Sequence, residues 1–238
     1  MAQSKPRPVA IVTGASRGFG RAVTAALLHR GWAVVGDARR AAELDATARE
    51  LNSARLIVLP GDITDASHRD ALVAAAANAG PLRLLVNNAS RLGPSPQPAL
   101  SDYPAGELSA VYQTNLFAPL ALIQAALPAL TDNAGVIVNL TSDAAVEPYP
   151  GWGWYGSSKA ALDQLSAVLA AEAPVVPVYA FDPGDMRTEM QQAAFPDEDI
   201  SDRAEPASVV PALLRLLDTR PAAGRYRAAD LALSGAQR

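Results

Sequence analysis

The sequence predicts a doubly wound α/β fold, a parallel sheet of about seven strands flanked by helices on both faces. Three observations predict it. Short apolar runs of strand length alternate with helix-length segments along the whole chain. The first run ends in a glycine-rich turn. No composition break, linker or solenoid-period repeat divides the 238 residues, so 1–238 read as one domain.

The elements follow in order. Val9–Val12 is continuously apolar, the pattern of a strand buried on both faces. Residues 20–29 have helical spacing and close at Arg30 and Gly31, a glycine C-cap. Residues 33–36 are a second strand, 41–51 a helix and 56–59 a third strand. A helix over 67–79 stops at Gly80 and Pro81, and 82–86 is a fourth strand. Residues 92–99 are rich in Pro and read as a loop. Residues 103–130 form a long helical stretch bent near Pro119, where a backbone donor is missing. A fifth strand (136–140), a helix (155–171) and a sixth strand (175–180, interrupted by Pro177) follow. Residues 189–206 are polar and irregular and read as a lid. A helix over 207–217 and an edge strand over 225–229 complete the chain.

Composition excludes several classes of function. Half of the residues are hydrophobic and 18% are charged, enough for one well-buried core. The net charge is −4 with Arg scattered among acids, so no nucleic-acid-binding stripe is expected. There is no Cys, which rules out disulfides and thiolate chemistry. Residues 1–8 are short and polar, and read as a flexible start with no signal peptide. No uninterrupted apolar run reaches spanning length, so no membrane partner is expected. These readings fit a cytoplasmic protein.

Tyr155 and Lys159 carry the chemistry. Four residues apart on a helix, they lie on one face, about one turn or ~5.4 Å along the axis. Lysine is rare here, two residues against eighteen arginines. A phenol is a poor acid/base at neutral pH, and a nearby cation stabilises the phenolate. Such a pair standing alone is more often an exposed Tyr and a solvated Lys. A second signal is Thr13–Gly14–Ala15–Ser16–Arg17–Gly18–Phe19–Gly20, between the first strand and the first helix. Glycines there let the backbone approach a pyrophosphate at a helix N-terminus, as in Rossmann folds. The alternative is a structural turn.

With Asn87–Asn88–Ala89 after the fourth strand, then Asn115, Ser142, Tyr155, Lys159 and Pro183–Gly184 through Thr188 all in order, the chain resembles the short-chain dehydrogenase/reductase family of single-domain type, over roughly residues 9–229. The resemblance implies an oxidoreductase moving hydride between a nicotinamide cofactor and a ketone or secondary alcohol. Tyr155 would be the general acid/base. Lys159 would lower its pKa and hold the nicotinamide ribose, Ser142 would orient the substrate oxygen, and Asn115 would hold a relay water. No metal is implied. For the cofactor, the resemblance assigns Gly14, Ser16, Arg17, Gly18, Phe19 and Gly20 to the pyrophosphate loop. Asp62 and Ile63 fall to the adenine, and Asn88 and Ala89 to the adenosine side. Pro183, Gly184, Met186 and Thr188 fall to the nicotinamide. At the end of the second strand, Ala38 stands where an acid would select NAD, and Arg39 with Arg17 suits a 2′-phosphate. NADP(H) is therefore expected, with NAD(H) possible because Asp37 is adjacent. Strand alternation should turn Asp37 away.

Ser90 departs from the family's usual Gly. The link after Glu172 is short, and the C-terminus lacks a frequent family ending. Residues 149–155 and 159–161 resemble the sepiapterin reductase and benzil reductase branch. Trp152 and Trp154 would then be flat apolar walls for a planar carbonyl substrate, or else pack against the lid or a second subunit. The family also implies a homodimer or homotetramer. Two other readings are a catalytically idle dinucleotide sensor, which the intact Ser142, Tyr155 and Lys159 disfavour, and a nucleotide-sugar epimerase or dehydratase, which the glycine spacing disfavours.

Overall fold

The computed structural model describes residues 7–233. The elements are β1 (Val9–Val12), α1 (Gly18–His29), β2 (Ala33–Ala38), α2 (Ala41–Leu51), β3 (Leu56–Pro60), α3 (Ala66–Ala79), β4 (Leu82–Asn87), α4 (Ala105–Tyr112), α5 (Ala118–Asp132), β5 (Val136–Leu140), α6 (Gly153–Glu172), β6 (Val178–Asp182), α7 (Glu189–Ala194), α8 (Pro206–Thr219), β7 (Gly224–Arg227) and α9 (Ala228–Leu233). The strands form one sheet in the order β3-β2-β1-β4-β5-β6-β7, with every pairing parallel. This is the expected doubly wound fold. The chain steps outward from β1 to β3, then restarts at β4 on the other side of β1. A crevice therefore opens at the C-terminal ends of β1 and β4.

Strand alternation explains the continuous apolar runs. Ala10, Val12, Val34 and Val86 face α1 and α8, in one core with Phe19, Val23, Leu213 and Leu216. Val9, Ile11, Val35 and Leu85 face the opposite side, with Leu72 of α3 and Leu122, Ala126 and Leu130 of α5. The central strands need apolar side chains in both directions because both faces are covered.

Several boundaries differ from the sequence expectation. The sixth strand begins at Val178, not Val175. Pro177 has no N–H to give to the ladder, and its carbonyl instead accepts from Ile137 N at 2.9 Å. Val175 is left exposed in the preceding turn. The expected bend near Pro119 is a π-helical turn over Gln113–Phe117, with Ala118 N donating to Gln113 O. Pro119 can give no N–H to the carbonyl of Asn115 and its ring crowds that carbonyl, so the wider turn accommodates it. The segment read as a lid contains a short helix, α7, whose start is capped by Thr188 Oγ1 accepting from Gln191 N. The last strand begins one residue earlier and passes into α9, which the sequence reading lacks.

One helical stretch bears on the apolar reading. Ala105–Asp132 is long and apolar enough to span a membrane by length and composition, and half of its most apolar stretch is buried within the protein. Its apolarity serves the packing of α5 on α3 and β4. Of the start read as flexible, residues 1–6 lie outside the described residues. Pro8 is tied in, its carbonyl accepting from Ala33 N at 3.0 Å.

Candidate active site

The glycine-rich turn is locked between β2 and β4. Gly14 has φ +68°, and its N–H donates to Asp37 Oδ1 at 2.8 Å. Thr13 Oγ1 accepts from the N–H groups of Asn88 and Ala89, both at 2.9 Å. Asn88 Nδ2 donates to Thr13 O at 2.8 Å and Gly14 O at 3.2 Å. Asn88 thus braces the loop from behind. A Cβ on Gly20 would lie 2.3 Å from Gly14 O and 2.4 Å from Asn88 Nδ2. Gly20→Ala should therefore push the loop out of place and destabilise the fold by about 1–3 kcal/mol. Thermal unfolding and NADPH binding check this, and both should weaken.

The N–H groups of Gly18, Phe19 and Gly20 open α1, and no side chain caps that helix end among the described residues. First-turn N–H groups have no intrahelical acceptor and suit an anion. A cleft of about 690 Å³ lies over them. Ser16, Arg17, Ala38 and Arg39 line one side. Asp62, Ile63, Asn88 and Ala89 line the next, and Pro183, Met186 and Thr188 the far end. A long cleft over free N–H groups, with a glycine where a side chain would collide, fits a dinucleotide. Phe19 offers only its backbone, because its ring is buried and stacked on Phe181 with centroids 6.0 Å apart. Gly184 borders the neighbouring cavity instead of the cleft.

Asp37 is 2% exposed. Its second oxygen, Oδ2, sits 3.2 Å from His68 Nε2. Both carboxylate oxygens are therefore occupied, while Arg39 is exposed at the cleft. Asp62 is held below the ordinary carboxylate range. Burial pushes it up, but the Thr64 hydrogen bonds and the Arg39 and His68 charges outweigh that. Arg17 pairs with Glu189, joining the glycine loop to α7.

Helix α6 carries Tyr155 and Lys159 on its buried face, 8% and 2% exposed. The Lys159 ammonium is 5.6 Å from the Tyr155 ring centroid and donates to Leu140 O at 2.8 Å. Its pKa is pulled down to about 8, by burial first, with the Asp163 carboxylate opposing. The Tyr155 phenol is pushed up to about 12, by burial first. A Ser90 hydrogen bond pulls it down, and the Asp182 and Asp143 charges raise it further. The sequence reading has Lys159 lowering the Tyr155 pKa. In this geometry burial dominates the phenol, and the ammonium is bonded to a carbonyl.

Ser142 lies just past β5. Its hydroxyl donates to Asp143 Oδ1 at 2.9 Å and accepts from Ala144 N at 3.2 Å. Asn115, 1% exposed, pins the loop after β4 to α6. Its Nδ2 donates to Arg91 O and Ser158 Oγ, both at 3.0 Å. Its side chain therefore has a bracing role, and only its carbonyl, left without the usual helical donor by Pro119, suits a water.

A second cavity of about 520 Å³ adjoins the cleft, and Tyr155, Pro183, Met186 and Thr188 border both. Trp152 lines it, edge-on to Tyr155 at 5.7 Å and tilted against Phe195 at 5.8 Å. Trp154 borders neither cavity. It packs on Tyr103 with centroids 4.9 Å apart. Two residues along the start of a helix is about 200° of rotation, so the two indoles face opposite ways. Phe195, Met190 and Leu92 complete the apolar lining.

Sequence reasoning missed the charges beneath this cavity. Arg225 of β7 donates to Asp163 Oδ2 at 3.2 Å, Asp182 Oδ2 at 2.8 Å and Ser142 O at 3.0 Å. Asp182 Oδ1 accepts from Gly184 N at 3.0 Å. One guanidinium thereby ties the Ser142 backbone to the turn after β6. The residues it joins lie 43 to 83 positions before Arg225, and no local pattern announces them.

A family model described as short chain dehydrogenase matches residues 8–199. Sepiapterin reductase of Meriones unguiculatus is 37% identical over 201 residues, which are 78% of this chain and 77% of that protein. Benzil reductase ((S)-benzoin forming) of Saccharomyces cerevisiae is 33% identical over 215 residues, 87% of this chain and 80% of that protein. Among solved structures, a short-chain dehydrogenase from Shigella flexneri 2a strain 301 complexed with NADP superposes with a TM-score of 0.86 at 29% identity. The match covers 93% of this chain and 97% of that one.

Proposed function

The chain belongs to the short-chain dehydrogenase family of oxidoreductases, and from that premise we propose that it is an NADPH-preferring carbonyl reductase acting on flat or aromatic ketones, or on the matching secondary alcohols in reverse. One observation carries the reading. Tyr155 is a shared wall of the dinucleotide cleft and the aromatic-lined cavity, with Lys159 one turn behind it. A carbonyl seated against Trp152 and Phe195 would meet the phenol at the junction.

The nicotinamide supplies the hydride. The residues of this chain handle the oxygen. Ser142 turns its hydroxyl from Asp143 to the substrate oxygen, while Asp143 keeps the Ala144 N–H at 2.8 Å and the Tyr149 hydroxyl at 3.1 Å. Tyr155 gives its phenolic proton to that oxygen in reduction and takes it back in oxidation. Lys159 spends one N–H on Leu140 O and has two left for ribose hydroxyls. The Asn115 carbonyl holds a water behind Lys159. Residues 189–206 close over the substrate, and α5 and α6 supply a face for a second copy. Trp152 and Phe195 exclude water around the ketone.

Arg39 supports NADPH, since Ala38 offers no acid and Asp37 is occupied by Gly14 and His68. A charge-assisted bond to the 2′-phosphate should make kcat/KM at least about tenfold higher with NADPH than with NADH. Ala38→Asp with Arg39→Ser should reverse that preference. Initial rates with both cofactors against diketones, pterins and aryl ketones test the reading. A wild type that turns over only with NADH would contradict the cofactor assignment.

A further inference from the structure

We propose that His68 is a positioning residue that sets cofactor preference. It acts through Asp37, drawing that carboxylate away from the adenosine ribose so that the cleft favours a 2′-phosphate over a 2′-hydroxyl. The inference rests on the cofactor reading above, which puts that ribose at the C-terminal end of β2.

Asp37 stands one residue before Ala38, buried at the wall of the cleft. An acid at this end of the second strand ordinarily accepts from the 2′-hydroxyl of NAD. Its charge also repels the phosphate that distinguishes NADP. Here both oxygens are drawn elsewhere. Oδ1 accepts from Gly14 N at 2.8 Å, and Oδ2 lies 3.2 Å from His68 Nε2. A carboxylate only accepts, so Nε2 is the donor in this bond. The nearby cations Arg40 and Arg17 pair with Glu43 and Glu189, which leaves Asp37 to Gly14 and His68.

His68 is fixed in its turn. It lies in the first turn of α3, with its side chain 9% exposed. Its ring rests on Gly61, which also lines the cleft. A Cβ on Gly61 would fall 2.3 Å from His68 Nδ1 and 2.5 Å from Cε1. Gly61 N donates to Ala38 O at 3.1 Å, so the backbone under the ring is tied to β2. The imidazole thus fills a niche that exists because residue 61 has no side chain. Removing it would leave Asp37 Oδ2 without its donor at the cleft wall. Two effects follow, both in one direction. The oxygen can accept from the 2′-hydroxyl of NADH, and its charge, no longer drawn off, weakens the hold on a 2′-phosphate.

The test titrates the intact protein with NADPH and with NADH by nicotinamide fluorescence and compares the two Kd values within each variant. His68→Leu keeps bulk without a donor. The ratio of the NADH Kd to the NADPH Kd should fall about tenfold, the worth of one hydrogen bond to a charged group. His68→Gln, whose amide nitrogen reaches the place of Nε2, should hold the ratio within about twofold of wild type. In an Asp37→Asn background His68→Leu should leave the ratio unchanged, because the carboxylate is gone. His68→Asn, whose amide stops short of that place, should match His68→Leu and replaces it if leucine prevents folding. Equal weakening of both cofactors would make His68 a packing residue and overturn the assignment. So would a fall in His68→Gln as large as in His68→Leu, or one that persists without the Asp37 carboxylate. Binding needs no ketone. An inert wild type whose variants show the shift would therefore strike the proposed reaction and leave His68 standing.

Discussion

Tyr155→Phe is expected to lower kcat for carbonyl reduction by about a thousandfold while NADPH affinity stays within roughly threefold. The phenol stands at the border of both cavities, beside the Lys159 ammonium, and a positioned general acid is worth roughly 10²–10⁴ in rate. Phenylalanine keeps the ring, so the edge contact with Trp152 and the packing over Lys159 survive. The loss should therefore fall on kcat and not on folding. Rapid NADPH oxidation assays with fluorescence titration of the cofactor separate the two. A loss below about tenfold would mean that another group supplies the proton.

Lys159→Met is expected to abolish turnover and to stabilise the protein at pH 7. Lys159 is 2% exposed, and burial pulls its pKa from 10.5 down to about 8. Between pH 8 and 10.5 the unfolded chain binds a proton that the folded one does not. Stability therefore rises with pH across that window, and below pH 8 the whole penalty is felt, about 3 kcal/mol. Methionine fills similar volume without the charge. It leaves Leu140 O without its donor, which costs about 1 kcal/mol. The net gain at pH 7 is about 2 kcal/mol, or roughly 4–8 °C in Tm. Thermal melts from pH 6 to 10.5 should show the advantage shrinking above pH 8. A variant less stable than wild type at pH 7 would show that the ammonium holds the fold together. On this account the group proposed for catalysis is one the fold carries at a cost in stability.

The central strands were legible because they are covered on both faces, which forces apolar side chains into successive positions, as in Val9–Val12. Asp37 was less legible: alternation was expected to turn it away, yet it lines the cleft while its carboxylate accepts from the Gly14 N–H. Tyr155 and Lys159 were legible because helical spacing fixes their shared face. Trp154 was not, since its direction depends on where α6 begins, and a helix entry at Gly153 sends the neighbouring indole to the cavity. Phe19 lines the cleft as read, but the helix turns its ring into the core, so it meets the cleft through its backbone. His68 behind Asp37, Arg225 beneath Ser142 and Phe195 across from Trp152 all act through contacts distant in sequence, and periodicity carries no trace of those.

The claim that this chain moves hydride to a carbonyl beside Tyr155 is tested most directly with NADPH deuterated at the transferring position of its nicotinamide. Each ketone of the panel is incubated with the protein, and the product is read by mass spectrometry. The account predicts an alcohol with one deuterium at the carbinol carbon, formed by wild type and not by Tyr155→Phe. Tight NADPH binding with no deuterated alcohol from any ketone, or an alcohol formed equally well by Tyr155→Phe, would contradict it.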